Sequence, residues 1–371
     1  MSRSANHITG RIWLAAGGTG GHVFPAIHTA HALMADGFEV MMVTDRRGKR
    51  LLPAELPQAV IAAASPFAGS PFSRIVALMK LSAGFVQCLA LLLHKRPVAV
   101  VGFGGYPAAG PTLAAWLLGV PVWLHEQNAV MGRTNQMLSK LVHQVFTSWP
   151  ETKGLPASAR HLYTGLPVAE AFTNLPEYAQ NKVYKELHLA VFGGSLGARL
   201  FADIIPQAVG KLPAQLKQSL RVSQQAREDQ IPALQAIYTD QNITADIRPF
   251  FADVPGVMAS ADLVISRAGA STVAELAAAG RPSLLIPFAG ALDGHQRANA
   301  DQLVRIGGAV CVDEQDASSA HLAKLLTELL GADEPRQKQA LSARKIARPD
   351  AAAQICSVLK QHFSSPSREA A

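Results

Sequence analysis

Residues 261–296, ADLVISRAGASTVAELAAAGRPSLLIPFAGALDGHQ, concentrate groups able to hold an anion. The apolar run at residues 263–265 ends in Ser266-Arg267-Ala268-Gly269 and predicts a buried strand that stops at a glycine turn. Thr272 and Glu275 have the T-x-x-E spacing of a capping box, so a helix is expected to begin there and to close at Gly280. The N–H groups and partial positive charge at such a helix start suit a phosphate, and a diphosphate fits there. Glu275 either completes the capping box or offers its carboxylate to a ribose diol; local sequence leaves both open. After a second strand at residues 284–286, a polar loop carries Asp293, His295, Gln296 and Asn299. Gln296 alone reads equally as a solvated loop residue.

Other strand ends carry further polar groups. Residues 12–16 lead into Gly17-Gly18-Thr19-Gly20-Gly21-His22 and a helical pattern through Met34, and a strand at residues 40–43 ends at Thr44-Asp45, completing a βαβ unit. A dinucleotide fingerprint needs glycine where Val23 stands, which weakens a nicotinamide reading without excluding it, since Asp45 has the position of a ribose acid. Residues 98–101 end in GFGGY, with a helix expected from Pro111 to Leu118. The strand at residues 120–124 runs into His125-Glu126-Gln127-Asn128 and then Gly132-Arg133-Thr134-Asn135. Such residues lie at the carboxyl edge of a parallel sheet, where their amides either hydrogen-bond a sugar or serve as loop and cap residues.

These motifs require a scaffold of alternating strands and helices. Residues 145–147 read as the last strand of the first half, and Thr164-Gly165-Leu166-Pro167 as a hinge. The second half restarts at residues 189–192, followed by Gly193-Gly194-Ser195-Leu196-Gly197-Ala198-Arg199 and a helix to Val209, with further strands at 220–223 and 247–250. The expected fold class is α/β: two facing Rossmann-like domains with parallel sheets and a cleft between them. The domains are placed at residues 1–166 and 167–350, with a disordered tail from Ser364.

At 371 residues the chain is long enough for two cores. Charged residues are 16% and hydrophobic ones 49%, so a globular chain is expected; a net charge of +7 points to an anionic partner. With aromatics at 6% and no basic-aromatic RNA motif, no nucleic-acid partner is expected. Cys88, Cys311 and Cys356 lack metal or disulfide spacing, which suggests a reducing compartment. No signal peptide and no membrane span are expected, the longest candidate, residues 85–93, being too short. Residues 72–95 form a helical pattern more apolar than one buried stripe requires, accompanied by Arg74, Lys80, Lys95 and Arg96. This reads either as an ordinary helix packed on a sheet or as a basic apolar patch resting on an anionic bilayer.

GGTGGHVFPA, GFGGYPAAGP, HEQNAVMGRTN, VFGGSLGAR, SRAGASTVAELAAAGRPSLLIPF and DGHQRANA, in this order, resemble the MurG family of bacterial glycosyltransferases. The resemblance implies a GT-B fold, with a last helix at about residues 351–363 crossing back to the first domain. It implies transfer of N-acetylglucosamine from UDP-N-acetylglucosamine to the undecaprenyl-linked lipid I, giving lipid II for peptidoglycan, by a peripheral enzyme on the cytoplasmic face of the cell membrane. In the second domain it assigns Ser195 to phosphate, Phe251 to the uracil through its backbone, and Ala270, Ser271, Thr272, Val273 and Ala274 to the start of the diphosphate-binding helix. Glu275 then takes the ribose, and Gln296, with His295 as an additional candidate, the sugar hydroxyls. In the first domain it assigns Thr19, Gly20, Gly21 and Asn128 to the donor and acceptor. Trp116 and Lys140 join the membrane-facing patch. The family carries an arginine where this chain has Ala169, in Gly165-Leu166-Pro167-Val168-Ala169, and Arg199 is the candidate substitute.

The implied reaction is a single displacement in which the acceptor 4-hydroxyl attacks the anomeric carbon and UDP leaves. No D-x-D occurs in the chain, so no metal and no cofactor is assigned; helix dipole and backbone amides take that role. His22, at the end of the first glycine loop, is the candidate base, with a structural or capping histidine as its alternative. A UDP-sugar epimerase, a transferase acting on diacylglycerol and a nonenzymatic nucleotide sensor stand as rivals.

Overall fold

The chain's short Val-, Leu- and Ile-rich runs become parallel strands, because glycine turns at their carboxyl ends send the chain into crossover helices that cover both sheet faces. The structure, a computed structural model, describes residues 10–66, 70–178 and 186–364, with the side chains of residues 195–198 and 292 excepted. Two compact units result: one comprises the residues up to Val168 together with the segment from Arg348, the other Ala169–Ala347.

In the first unit the order is β1 (Arg11–Ala15), α1 (Gly20–Ala35), β2 (Glu39–Thr44), α2 (Arg46–Lys49), β3 (Gln58–Val60), α3 (Pro71–His94), β4 (Ala99–Gly102), α4 (Tyr106–Leu117), β5 (Val122–Glu126), α5 (Arg133–Leu138), β6 (Gln144–Thr147) and β7 (His161–Tyr163). All seven strands are parallel, in the order β3-β2-β1-β4-β5-β6-β7. The alternation of β1 divides the core: Ile12 and Leu14 pack with the apolar residues of α1, whereas Trp13 faces the other way onto Cys88 and Leu92 of α3 and Ala114 and Ala115 of α4.

The second unit continues with α6 (Glu170–Thr173), β8 (Leu187–Phe192), α7 (Gly194–Gly210), α8 (Ala214–Gln218), β9 (Leu220–Gln225), α9 (Ile231–Asp240), β10 (Thr244–Arg248), α10 (Val254–Ser260), β11 (Leu263–Ser266), α11 (Ala270–Ala279), β12 (Ser283–Leu285), α12 (His295–Val304), β13 (Val310–Cys311), α13 (Ser319–Gly331) and α14 (Asp333–Ile346). Its six parallel strands run β10-β9-β8-β11-β12-β13. The last helix, α15 (Ala351–Ser364), belongs to the first unit. There Ile355, Cys356 and Leu359 complete the α1-side core, and Lys360 pairs with Asp36 at 2.7 Å. Strand order reverses between β1 and β4 in one unit and between β8 and β11 in the other, and open α/β sheets bind ligands at such points.

Several expectations need correction. β7 follows β6, so residues 145–147 are not the last strand of the first half, and the short edge strands β3 and β13 carry no periodic signal. α4 starts at Tyr106 rather than Pro111; Pro107 occupies the first turn, where an N–H is not needed, and Pro111 lies inside the helix. Residues 85–93 are part of a 24-residue helix, α3, that is long and apolar enough to cross a membrane by length and composition. Only Ala77, Gly84, Cys88 and Leu92 of α3 are buried, and a Cβ on Gly84 would lie 2.0 Å from the Ala62 carbonyl oxygen, so glycine permits that close approach. Phe72, Ile75, Leu78, Met79, Val86 and Leu93 are exposed. The expected tail from Ser364 lies, beyond that residue, outside the described residues.

Candidate functional site

In the second unit β11 stops at Ser266 and α11 begins at Ala270, with Gly269 as N-cap and no side-chain cap. The expected capping box is therefore absent. Thr272 is the third helical residue and Glu275 lies in the second turn, because the Gly269 carbonyl takes the first helical bond, from Val273 N–H at 3.0 Å. The N–H groups of Ala270, Ser271 and Thr272 have no backbone partner among the described residues, and the buried Ser271 hydroxyl has none either. Val273 points into the core and its N–H is already used, so the three residues before it supply the donors. Ala274 lies half-buried beside them.

Gln296, on the first turn of α12, accepts at Oε1 from Ala268 N–H at 3.2 Å and Phe288 N–H at 2.9 Å. These bonds join the start of α12 to the β11–α11 turn and fix the amide, so that its NH2 is the end left to donate to a ligand. Gln296 is thus no freely solvated loop residue. His295 stands beside it, with Nε2 4.0 Å from Asp293 Oδ2. Glu275 is half-buried with no hydrogen bond or ion pair among the described residues, and burial of its carboxyl pushes the pKa up to about 7. Arg267 was not singled out by its spacing. It lies between the rings of Phe201 and Phe288, 5.0 and 5.4 Å from their centroids, and donates to Ile286 O, Pro287 O and Glu314. It braces the strand ends from below.

Phe251 follows β10; its ring is buried edge-on against Phe192 at 6.0 Å, and neither its N–H nor its carbonyl has a hydrogen-bond partner among the described residues. Ser195 is the second residue of α7, its side chain outside those described, and Gly194 before it has φ +60°. Arg199 is exposed on the same helix. An open cavity of about 580 Å³ is lined by Gly194, Gln225, Arg227 and Pro249 at this sheet edge.

In the first unit Thr19 is the N-cap of α1, and Gly20 and Gly21 are its first residues. Asp45 does not face a ribose: Oδ1 accepts from Gly18 N–H at 3.0 Å and Gly48 N–H at 2.8 Å, and Oδ2 from the Tyr106 hydroxyl at 3.0 Å. The carboxylate is consumed in holding the glycine loop, which overturns the nicotinamide alternative. Glu126, almost fully buried, likewise organises its own loop, accepting from Asn128 N–H and Nδ2 through Oε1 and from Gly132 N–H and Asn135 Nδ2 through Oε2. The Gln127 amide and Asn135 Nδ2 therefore build the loop, Asn135 Oδ1 being buried with no hydrogen-bond partner among the described residues, while Asn128 stays half-buried at the loop's rim.

His22 is half-buried, and its Nδ1–H donates to Gln127 Oε1 at 3.0 Å. Gln127 Nε2 donates to His125 Nδ1 at 3.2 Å, and His125 Nε2 donates to the Gly165 carbonyl at 3.1 Å. His125 is fully buried and stacked on Phe103 at 5.4 Å; burial lowers its pKa to about 4. The HEQN string marked this chain of contacts, but local sequence does not join His22 to Gln127 across 105 positions.

Models of the glycosyltransferase family 28 N-terminal and C-terminal domains match residues 12–147 and 188–355. A Methylorubrum populi protein named UDP-N-acetylglucosamine–N-acetylmuramyl-(pentapeptide) pyrophosphoryl-undecaprenol N-acetylglucosamine transferase is 44% identical over 346 residues, covering 91% of this chain and 93% of its own. A Rhizobium meliloti protein of the same name is 42% identical over 349 residues, covering 92% and 93%. The crystal structure of Acinetobacter baumannii MurG superposes with a TM-score of 0.78 at 32% identity, over 95% of this chain and 99% of that one. A Listeria monocytogenes structure described as a UDP-N-acetylglucosamine 2-epimerase, at 14% identity and a TM-score of 0.71, shares the fold.

Proposed function

The chain belongs to glycosyltransferase family 28, among the UDP-N-acetylglucosamine–N-acetylmuramyl-(pentapeptide) pyrophosphoryl-undecaprenol N-acetylglucosamine transferases, and on that premise we propose how its residues carry the reaction. It transfers N-acetylglucosamine from UDP-N-acetylglucosamine to the muramoyl 4-hydroxyl of lipid I, giving lipid II for the bacterial cell wall. The observation that carries the donor reading is the start of α11, where three main-chain N–H groups and the Ser271 hydroxyl have no partner among the described residues, together with the Gln296 amide oriented beside them. Three N–H donors and a helix dipole suit two adjacent phosphates, and they neutralise the charge that grows on UDP as it leaves. Glu275 accepts from the ribose hydroxyls, and the free main chain of Phe251 matches the donor and acceptor edge of uracil. Ser195 contacts phosphate, and Arg199 stands in for the arginine that Ala169 replaces.

In the first unit His22 removes the proton of the attacking hydroxyl, with Thr19, Gly20, Gly21 and Asn128 lining the sugar-binding surface. The oxygen–carbon bond forms as the carbon–phosphate-oxygen bond breaks, so the α-linked donor gives a β-linked product. The exposed apolar residues of α3, flanked by exposed Arg74 and Lys80, with Trp116 and Lys140 also exposed in the same unit, support a protein resting on an anionic membrane surface. No nucleic acid is a partner, and the membrane face is the cytoplasmic one, where nucleotide sugars are made.

Purified protein incubated with labelled UDP-N-acetylglucosamine and a lipid I analogue is expected to release UDP and label the lipid. Interconversion of UDP-sugars without acceptor, labelling of diacylglycerol alone, or binding without UDP release would each replace this reading with the corresponding rival.

A further inference from the structure

The contacts that run from His22 to Gly165 have a chemical direction. The Gly165 carbonyl only accepts, so His125 carries its proton on Nε2 and presents Nδ1 as an acceptor. Gln127 Nε2 fills that acceptor and also donates to the His125 carbonyl at 3.1 Å, which leaves Oε1 facing His22. An amide oxygen only accepts, so His22 bears its proton on Nδ1. Its Nε2 then holds the lone pair, and among the described residues the ring's hydrogen bond runs through Nδ1 alone.

The relay is rigid. Gln127 and His125 are fully buried, the His125 ring lies on Phe103, and Trp149 Nε1–H donates to the Gln127 carbonyl at 3.0 Å. Gly104 and Gly105, at φ +76° and +71°, carry the main chain over it. A Cβ on Gly105 would stand 3.2 Å from His22 Cδ2 and 3.4 Å from Nε2, so glycine there keeps the reactive edge of the ring clear. Burial also keeps His125 neutral at pH 7, which preserves the direction of the bonds.

We propose that Gln127 and His125 are positioning residues for the transfer: they lock His22 as the Nδ1–H tautomer and so hold a bare Nε2 toward the acceptor hydroxyl. This rests on the reading of His22 as the base. In the step itself the acceptor O–H bond breaks and its proton goes to Nε2. The oxygen's electron pair forms the bond to the anomeric carbon, and the pair of the breaking bond leaves with UDP. His22 becomes an imidazolium whose Nδ1–H still donates to Gln127, so no proton travels further along the relay.

Nitrogen NMR of the full-length protein labelled at histidine, at a pH where His22 is neutral, reads the tautomer directly. The expected result is a protonated Nδ1 and bare Nε2 on His22, and the reverse on His125. Gln127→Leu is expected to release His22 toward the Nε2–H form and to lower kcat by about 100-fold or more, the contribution of a general base, with KM for UDP-N-acetylglucosamine little changed. Gln127→Glu, which keeps an acceptor beside Nδ1, should retain the native tautomer and most of kcat. A wild-type His22 protonated on Nε2 overturns the proposal, whether or not any variant folds. So does a Gln127→Leu protein with native tautomer, or one with native kcat. Failure of the base reading is separately visible: His22→Ala would then turn over normally although the native protein showed both tautomers as expected.

Discussion

His22 and Glu275 are the two titratable side chains to which the proposed chemistry gives proton-accepting or hydrogen-bond-accepting roles. One is wired through a neutral amide to a buried histidine, and the other is half-buried with no hydrogen bond or ion pair among the described residues. Replacing His22 by alanine should lower turnover by about 100-fold or more in the lipid I assay, without loss of thermal stability, because the ring is only half-buried. Glu275 titrates near 7 in the fold against an ordinary 4.5, so between those values the folded chain holds a proton that the unfolded chain has lost. Stability contributed by this group therefore falls as pH rises from 4.5 to 7. Glu275→Gln should remove that slope, measured by urea unfolding without ligand at a series of pH values. Donor binding has the opposite sign, since a ribose diol is best accepted by the carboxylate. Calorimetric affinity for UDP-N-acetylglucosamine should rise through pH 7 in the native protein and stay flat in Glu275→Gln. At this scale the sequence named both residues through their motifs. It did not link Gln127 to His22, His125 to Gly165 or Arg267 to Ile286, since these partners are 105, 40 and 19 positions apart.

At the scale of elements, the stretch 261–296 was read correctly as strand, turn, helix and strand, yet the N-cap is Gly269 instead of Thr272, three residues earlier, and His295, Gln296 and Asn299, expected in a polar loop, lie on α12. The T-x-x-E spacing is a local signal, and it loses to Gly269, whose extended φ/ψ allows its carbonyl to accept the first helical bond without a side-chain cap. The difference is measurable. A true N-cap threonine loses about 1 kcal/mol on conversion to alanine, whereas Thr272→Ala, inside the first turn, should leave ligand-free stability unchanged or slightly raised. At the other end Gly280 has φ +58°, and a Cβ there would meet Arg344 Nε at 2.4 Å. Gly280→Ala is expected to cost about 1 kcal/mol or more in the same urea titration. That glycine was legible as a helix stop, while its contact with α14 was not, because it joins residues 64 positions apart.

For the whole molecule, the repetition of strand, glycine loop and helix half a chain apart foretold two parallel-sheet units, and strand reversal places each glycine loop at a ligand-binding edge. The exposed apolar surface of α3 belongs to this scale, because no local pattern says which side of an apolar helix meets α4 and which meets solvent. Arg74→Glu combined with Lys80→Glu should reduce co-sedimentation with anionic vesicles and leave it unchanged at zero on neutral ones; equal binding by native and variant protein would remove the basic patch from the account.

Read alone, the chain's residue order specified the class of fold, the family and the loops where chemistry happens, since apolar period, glycine turns and motif order are all local or sequential signals. Folding settled which polar residues of those loops are free. Asp45 and Glu126 are spent on holding backbone in place, and among the described residues His22, Glu275 and the start of α11 keep groups without a partner. The reason is that hydrogen-bond saturation depends on neighbours brought together across the sheet edge, and a carboxylate or amide has the same letter in the sequence whether its partners are main-chain N–H groups or a ligand.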